Sequence, residues 1–266
     1  MATICITGSA SGMGAATAHR LREREHRVVG VDLRDADVVA DLSTSDGRRA
    51  AIAAVTTLAG DALDGLATFA GLGGLPTRAG APVASVNYFG TVELLRGLRP
   101  LLAQGRAPSA VAVGSVSMTC QPDIPMALVD AYLNEDEAQV RALADEHGSL
   151  NAYPASKIAL TRWVRRHATT ADWIGAGIRL NVVVPGLMET PLTDEQRADP
   201  DLGPLMAGFP IPTGRAGDPE EVAALVDFLL GPESTFFCGS IITCDGGTEA
   251  LLRPDAWPTP WTPSSP

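Results

Sequence analysis

The first fourteen residues constrain the fold most. Thr3-Ile-Cys-Ile-Thr7 is a short, apolar, β-branched run of the kind that forms a buried parallel strand. It passes directly into Gly8-Ser-Ala-Ser-Gly12-Met-Gly14, and Ala15 to Glu25 then follows a helical pattern. Glycines spaced this way between strand and helix permit a tight turn and a close backbone approach to a ligand. The helix N-terminus offers free N–H groups and the positive end of its dipole, which suits a pyrophosphate. Glycine-rich turns are common in a chain with 27 glycines. What gives this one weight is its place between a first strand and a first helix. Gly8, Ser11, Gly12, Met13 and Gly14 are therefore candidate cofactor-binding residues.

The second apolar run, Arg27 to Val31, ends at Asp32, eighteen residues beyond Gly14. A carboxylate there accepts from adenosine ribose hydroxyls and repels a 2′-phosphate; the competing reading is an exposed turn acid. Ser11 and Leu33 supply no basic phosphate contact, although Arg34 lies close by, so NAD is expected in preference to NADP. Residues 37–42 read as a third short strand, with Asp41 and Leu42 at the adenine edge. A helix is predicted over Ser45 to Ala59 with Ser45 as N-cap. Leu66 to Phe69 is the fourth strand, and the small pair Ala70-Gly71 after it lets a dinucleotide lie across the sheet. One long helix is predicted over residues 81–102, carrying Asn87. The fifth strand, Val111 to Gly114, leads to Ser115 at its carboxyl end, where open α/β sheets bind ligands.

Asn151-Ala-Tyr-Pro-Ala-Ser-Lys157 sets Tyr153 and Lys157 four residues apart on one helical face. A phenol with a reference pKa of about 10 is a poor base near neutrality. An ammonium at about 4 Å attracts the phenolate by roughly 4 kcal/mol at an effective dielectric of 20, or about three pKa units. Alone, such a pair reads more readily as ordinary helix surface. Lys157, however, is the only lysine in a chain with twenty basic residues. A compact point charge retained among arginines marks a site where a planar, always-charged guanidinium would not serve.

The stretch 116–150 before that helix carries apolar residues (Met118 among them) and an acidic helix-like segment, Asn134 to His147. Ile178 to Val184 is a sixth strand ending in Pro185-Gly186. The residues after it, about 187–215, are rich in Pro, Gly and Asp and read as a mobile lid rather than a packed element. Asp218-Pro-Glu-Glu opens a helix to about Leu230, and Ser240 to Cys244 is the last strand. The tail from Arg253 has five prolines in its last thirteen residues, with Trp257 and Trp261; it is either extended and unattached or docks on a neighbouring subunit.

A net charge of −11 argues against a nucleic-acid partner. The 45% hydrophobic and 19% charged composition favours a substantial core over disorder. No apolar run approaches the roughly 20 residues of a membrane span, and the N-terminus lacks a basic secretory n-region. Cys5, Cys120, Cys238 and Cys244 form no CxxC and no cluster with the histidines, so no metal is expected. The expectation is a soluble cytoplasmic protein with reduced thiols.

Taken together, the motifs resemble the short-chain dehydrogenase/reductase family over about residues 2–250. The matching elements are Thr7-Gly8-xxx-Gly12-x-Gly14, Asp32, Asp41-Leu42, Ala70-Gly71, Asn87, Ser115, Tyr153-xxx-Lys157, Asn181, and Pro185-Gly186 with Thr190. The long insert ending in Gly-Ser-Leu-Asn-Ala-Tyr is most similar to the bacterial 3α-hydroxysteroid dehydrogenase/carbonyl reductase subgroup, with coniferyl-alcohol dehydrogenases close behind. There are departures. Thr68-Phe69 stands where the family usually has Asn-Asn, so anchoring between sheet and helix must differ there. Gly114 stands where a first serine is common, which makes Ser115 the catalytic candidate and Ser117 the alternative.

The resemblance implies an α/β, Rossmann-like doubly wound parallel sheet of about seven strands with helices on both faces, in one domain over 1–252 and followed by the tail 253–266. It implies NAD-dependent interconversion of an alcohol and its carbonyl. Tyr153 is then the acid/base, with its pKa lowered by Lys157. Lys157 also contacts the nicotinamide ribose, Ser115 holds the substrate oxygen, and Asn87 holds a water linking Lys157 to solvent. The other reading of Asn87 is a local backbone tie. Pro185, Gly186, Met188 and Thr190 are implied to hold the nicotinamide. Ser117, Met118, Leu187 and Phe209 are candidate contacts to an apolar substrate such as a hydroxysteroid, terpenoid or aryl alcohol. A homodimer or homotetramer is implied; family members commonly pair through helices at about 81–102 and 151–173, a face the insert could block. The competing functions are a non-catalytic dinucleotide sensor or scaffold on the same fold, and an epimerase or dehydratase, for which the chain has little C-terminal room.

Overall fold

This computed structural model describes residues 1–260. Its seven strands are β1 (Thr3–Thr7), β2 (Arg27–Asp32), β3 (Val38–Val39), β4 (Gly65–Thr68), β5 (Ser109–Val113), β6 (Arg179–Pro185) and β7 (Ile241–Cys244). They pair in parallel throughout, in the order β3-β2-β1-β4-β5-β6-β7. Every residue of β4, β5 and β6 is buried, which explains why these strands read as largely apolar runs rather than alternating ones; the buried Arg179 and Asn181 of β6 instead donate to the Leu229, Ser234 and Phe237 carbonyls. The strand order reverses between β1 and β4. The loops leaving those two strands therefore diverge and open a crevice at their carboxyl ends.

Helices α1 (Gly12–Glu23) and α11 (Pro219–Leu230) cover one face, joining Ala18, Leu21, Val222, Val226 and Leu229 to sheet residues such as Ile6 and Val183. The other face carries α2 (Ser45–Ala59), α4 (Thr91–Leu102) and α8 (Ser149–Ala168) in a larger core containing Val55, Leu95 and Trp163. The cap of α11 is reciprocal: Asp218 accepts from the Glu220 backbone and the Glu221 carboxylate accepts from the Asp218 N–H.

Several elements differ from their sequence expectation. The third strand is only two residues long. The N-cap of α2 is Thr44, which accepts from the Gly47 N–H at 3.1 Å, so Ser45 is the first helical residue. The helix expected over residues 81–102 is α3 (Gly80–Ala84), a π-helical turn over Ser85–Gly90, and α4. Residues after Ser115 form α5 (Ser117–Cys120), α6 (Met126–Asn134) and α7 (Glu137–His147). Asn134 thus closes one helix instead of opening the next, because Glu135 takes a left-handed conformation and Asp136 caps α7. Helices α6 and α7 pack on α8, and α7 also on α3.

The segment after β6 is more ordered than a bare loop. It contains α9 (Pro191–Arg197) and α10 (Leu202–Ala207), and its two ends are pinned together by a bridge between Met188 and Gly217. A short α12 (Thr248–Leu252) follows β7. Trp261, one of the two indoles of the tail, lies outside the described residues. Among the described residues, no helix is long and apolar enough to cross a membrane, and no cluster of His, Cys, Asp and Glu could hold a metal ion.

Candidate active site and dinucleotide cleft

A cavity of about 770 Å³ runs along the carboxyl ends of the strands. At one end lies the loop between β1 and α1. Gly8 and Gly12 hold positive φ values of 70° and 53°, the left-handed region in which glycine carries no steric cost. A Cβ on Gly8 would stand 2.7 Å from the Ala70 nitrogen, so the loop can lie against the end of β4 only as glycine. A Cβ on Gly14 would collide with the Gly8 carbonyl oxygen. Ser11, the N-cap of α1, makes no side-chain cap bond, and the first turn holds no acidic residue. The N–H groups of that turn are thus left facing the cavity without a competing anion, the arrangement a pyrophosphate requires.

Asp32 closes this end. Its carboxylate accepts from the Ala10 N–H at 3.0 Å and from the Leu33 N–H at 2.7 Å, which fixes its orientation at the rim. Leu33, Asp41 and Leu42 line the cavity beside it. Arg34 is exposed and does not line it. Ala70 and Gly71 form the floor between the two halves, with the Ala70 N–H bonded to the Thr7 hydroxyl at 3.1 Å. That bond, together with Asn87, replaces the amide expected after β4; the Thr68 hydroxyl at that turn is buried without a partner.

The other end brings Ser115, Tyr153 and Lys157 together. Ser115 stands just past β5, and α8 carries the other two on the face it turns to the sheet. Pro154 is the sixth residue of α8 and leaves the Leu150 carbonyl without its helical donor; the Gln121 side-chain amide donates to it instead at 3.0 Å. The buried Lys157 ammonium donates to the Val113 carbonyl at 2.9 Å and lies 5.8 Å from the centre of the Tyr153 ring. Ser115 accepts from the Ser117 hydroxyl at 3.0 Å and from the Ser117 N–H at 3.2 Å.

The electrostatics correct one expectation. The Tyr153 phenol is not depressed by Lys157. Burial pushes it above its ordinary value, and a hydrogen bond with Ser115 acts the other way. Burial also lowers the Lys157 ammonium to about 8. Helical spacing alone implies a surface-like dielectric for both groups, whereas α8 presses them into the cavity wall, where removing water disfavours both charged forms.

Asn87 does not line the cavity. Its side chain makes a two-point bond with the backbone of Leu72, accepting from the N–H at 2.8 Å and donating to the carbonyl at 3.0 Å. The π-helical turn places it behind Gly71, where a Cβ would meet the Asn87 Oδ1 at 3.3 Å. Met118 is likewise not a lining residue. It packs against the core, and its sulfur accepts from Thr161 at 3.4 Å.

Pro185, Gly186, Leu187, Met188, Thr190 and Phe209 all line the cavity on the side of the segment that follows β6. Thr190 also caps α9, accepting from the Thr193 N–H. Sequence reasoning missed Gln121, Leu150, Gln196, Leu205 and Met206, which also line the wall. The signal for α9 was present in Thr190-Pro191-xx-Asp194, a cap followed by proline and an acid. Gln196 donates to the Gly74 carbonyl at 3.0 Å and Arg78 pairs with Glu195, so α9 is docked onto the loop after β4.

Comparison with known proteins follows the same lines. A family model described as enoyl-(acyl carrier protein) reductase matches residues 139–249. The chain is 42% identical over 96% of its length to the 3-alpha-hydroxysteroid dehydrogenase/carbonyl reductase of Comamonas testosteroni, covering 99% of that protein. It is 30% identical over 92% of its length to a short-chain dehydrogenase/reductase of Botryotinia fuckeliana, covering 95% of it. Among solved structures, the 3-alpha-hydroxysteroid dehydrogenase from Pseudomonas sp. B-0831 complexed with NADH superposes with a TM-score of 0.91 at 45% identity. That match covers 96% of this chain and 100% of the other.

Proposed function

The chain belongs to the short-chain dehydrogenase/reductase family of alcohol–carbonyl oxidoreductases, and on that premise we propose that it uses NAD to interconvert an apolar secondary alcohol and its ketone, with Tyr153 as acid/base. The observation that carries this reading is the single cavity that joins the glycine loop and Asp32 at one end to Ser115, Tyr153 and Lys157 at the other. When bound, NAD would supply the hydride acceptor for oxidation of the carbinol carbon and NADH the hydride donor for reduction of the carbonyl. The protein's residues orient the reactants and handle the proton.

In oxidation the Tyr153 oxygen accepts the hydroxyl proton of the alcohol; in reduction it returns that proton to the nascent alkoxide. Ser115 donates to the same substrate oxygen and fixes its position. Lys157 supplies the positive charge that a phenolate at this half-buried position needs, and it is the side chain that would meet a nicotinamide ribose. Because burial raises Tyr153, its resting form at neutrality is the phenol. Reduction is therefore favoured near neutral pH, and oxidation accelerates as pH rises and the phenolate forms.

Asp32, pinned at the rim, favours two free ribose hydroxyls and disfavours a 2′-phosphate. The exposed Arg34 brings no compensating charge into the cavity. NADH in the Pseudomonas relative supports the same choice. The apolar side chains of Leu187, Leu150, Leu205, Met206 and Phe209 suit a hydrophobic substrate, and the hydroxysteroid activity named for two relatives agrees with that class.

In this reading residues 1–252 are the catalytic domain, 116–150 an insert and 187–215 a lid. With α6 and α7 packed on α8, the helix face commonly used for pairing in the family is covered. The assembly is then a homodimer through the β7 edge, where Phe228 of α11, Phe236, Ile241 of β7, and Leu251 and Leu252 of α12 are each exposed. A monomer in light scattering contradicts it. Four unpaired thiols among the described residues accord with the reducing cytoplasm, so the protein is expected in the soluble fraction.

The direct test is a panel of hydroxysteroids, terpenoid and aryl alcohols with their ketones, assayed with wild type and Tyr153→Phe. Loss of about 10²–10⁴-fold in kcat in the variant, with NADH still bound, is the expected result. Retained turnover in Tyr153→Phe overturns the assignment. NADH binding with no turnover of any panel member leaves a dinucleotide sensor as the better reading.

A further inference from the structure

We propose that Ser117 is a positioning residue that locks Ser115 as a one-way hydrogen-bond donor into the reaction site. The proposal rests on the reading of Ser115 and Tyr153 given above. A serine hydroxyl has one proton to give and two lone pairs to receive with. Both lone pairs of Ser115 are occupied, one by the Ser117 N–H at 3.2 Å and one by the Ser117 hydroxyl at 3.0 Å. The one capacity left to Ser115 is donation, and it lines the same cavity as Tyr153.

Ser117 itself is held by the turn it opens. The Val116 N–H donates to the Pro185 carbonyl at 2.9 Å, which ties the turn to the end of β6. The Met118 N–H closes back on the Ser115 carbonyl at 3.1 Å. Thr161 of α8 bonds the Met118 sulfur, so the turn is clamped between the sheet and the helix that bears Tyr153. The Ser117 hydroxyl is thereby presented to Ser115 by rigid neighbours on both sides, which is how a small positional bias becomes a persistent one.

The direction matters because the substrate oxygen changes character during the reaction. A ketone oxygen only accepts, whereas an alcohol oxygen also donates. A freely rotating Ser115 would accept the alcohol proton in competition with Tyr153 and hold it away from the base. With its lone pairs filled, Ser115 leaves that proton the Tyr153 oxygen as its partner. A hydroxyl that is itself receiving two hydrogen bonds is also polarised into a stronger donor, which steadies the phenolate and the alkoxide alike. Lys157 on α8 and Cys120 on α5 are the other titratable groups on this part of the cavity wall.

The test is steady-state kinetics of the full-length enzyme, with the best alcohol–ketone pair of the panel, for Ser117→Ala, Ser117→Thr and Tyr153→Phe. Ser117→Ala is expected to lower kcat for oxidation about 5–10-fold. Its alkaline-rising limb moves to higher pH, and NADH affinity and melting temperature are unchanged. Ser117→Thr, which keeps the hydroxyl, restores rate and pH profile. A rise in substrate KM alone, with kcat and pH profile intact, makes Ser117 a substrate contact and overturns the proposal, as does no change at all. Should Ser117→Ala melt early, Ser117→Cys, near in volume with a weak donor, reads the same shift. An inactive Tyr153→Phe beside an unaffected Ser117→Ala defeats the positioning role alone; an active Tyr153→Phe defeats the reading beneath it.

Discussion

Replacing Lys157 by methionine is expected to inactivate the enzyme and, at neutral pH, to stabilise the cofactor-free protein. The ammonium is buried, with the Val113 carbonyl as its hydrogen-bond partner, and its pKa falls from the ordinary 10.5 to about 8. At about 1.36 kcal/mol for each tenfold change in proton affinity, that difference costs the folded state about 3 kcal/mol. The unfolded chain binds the proton more tightly, so the penalty is complete below pH 8. It fades between about 8 and 10.5 and is absent above. Methionine removes it but leaves the Val113 carbonyl without its donor, at a cost of about 1 kcal/mol. The net gain at pH 7 is about 1–3 kcal/mol, or about 2–6 °C in Tm for a chain of this length. Thermal melts of both apoproteins from pH 6.5 to 10.5 measure it, and the gap should close as pH rises. A Lys157→Met variant that melts below wild type at pH 7, or a gap independent of pH, refutes the reasoning.

Gly14→Ala places a methyl against the Gly8 carbonyl oxygen and near Phe69. The loop must move, and NADH affinity is expected to fall at least tenfold by calorimetry with a stability loss of about 1–3 kcal/mol. Arg48→Ala leaves two carboxylates facing each other. The buried guanidinium donates to Glu93 at 2.8 Å, to Glu137 and to the Leu42 carbonyl at 3.2 Å, tying α2 to α4 and α7. Both glutamates keep part of their solvent, so the expected loss is about 2–4 kcal/mol in denaturant titration, at the lower end for a broken buried pair.

The framework of the fold is legible in the sequence because parallel strands buried on both faces announce themselves as apolar runs, and glycines mark where β1 turns into α1. Tyr153 and Lys157 are legible for a different reason, since a single lysine among nineteen arginines is a chemical choice. What escapes is set by tertiary packing. Nothing in Ser85-Val-Asn-Tyr-Phe-Gly90 distinguishes a π-helical turn from an α-helix. The wider turn is where Asn87 meets the Leu72 backbone. The pKa of Tyr153 depends on how deeply α8 sets it, which spacing along a helix does not encode. Helices α9 and α10 are too short to show periodicity, and α9 is held as much by Gln196 on Gly74 and Glu195 on Arg78 as by its own pattern. Met118 reads as a cavity residue by its neighbours, yet the turn of α5 sends it toward Thr161.

The central claim, a NAD site that feeds Tyr153, is tested most directly by titrating NADH and NADPH into wild type and Asp32→Ala by calorimetry. The account predicts that wild type binds NADH at least tenfold more tightly than NADPH, and that this preference collapses when the carboxylate at the rim is removed. Failure of wild type to bind either nucleotide contradicts it outright, because each role assigned to Ser115, Tyr153 and Lys157 requires a nicotinamide beside them.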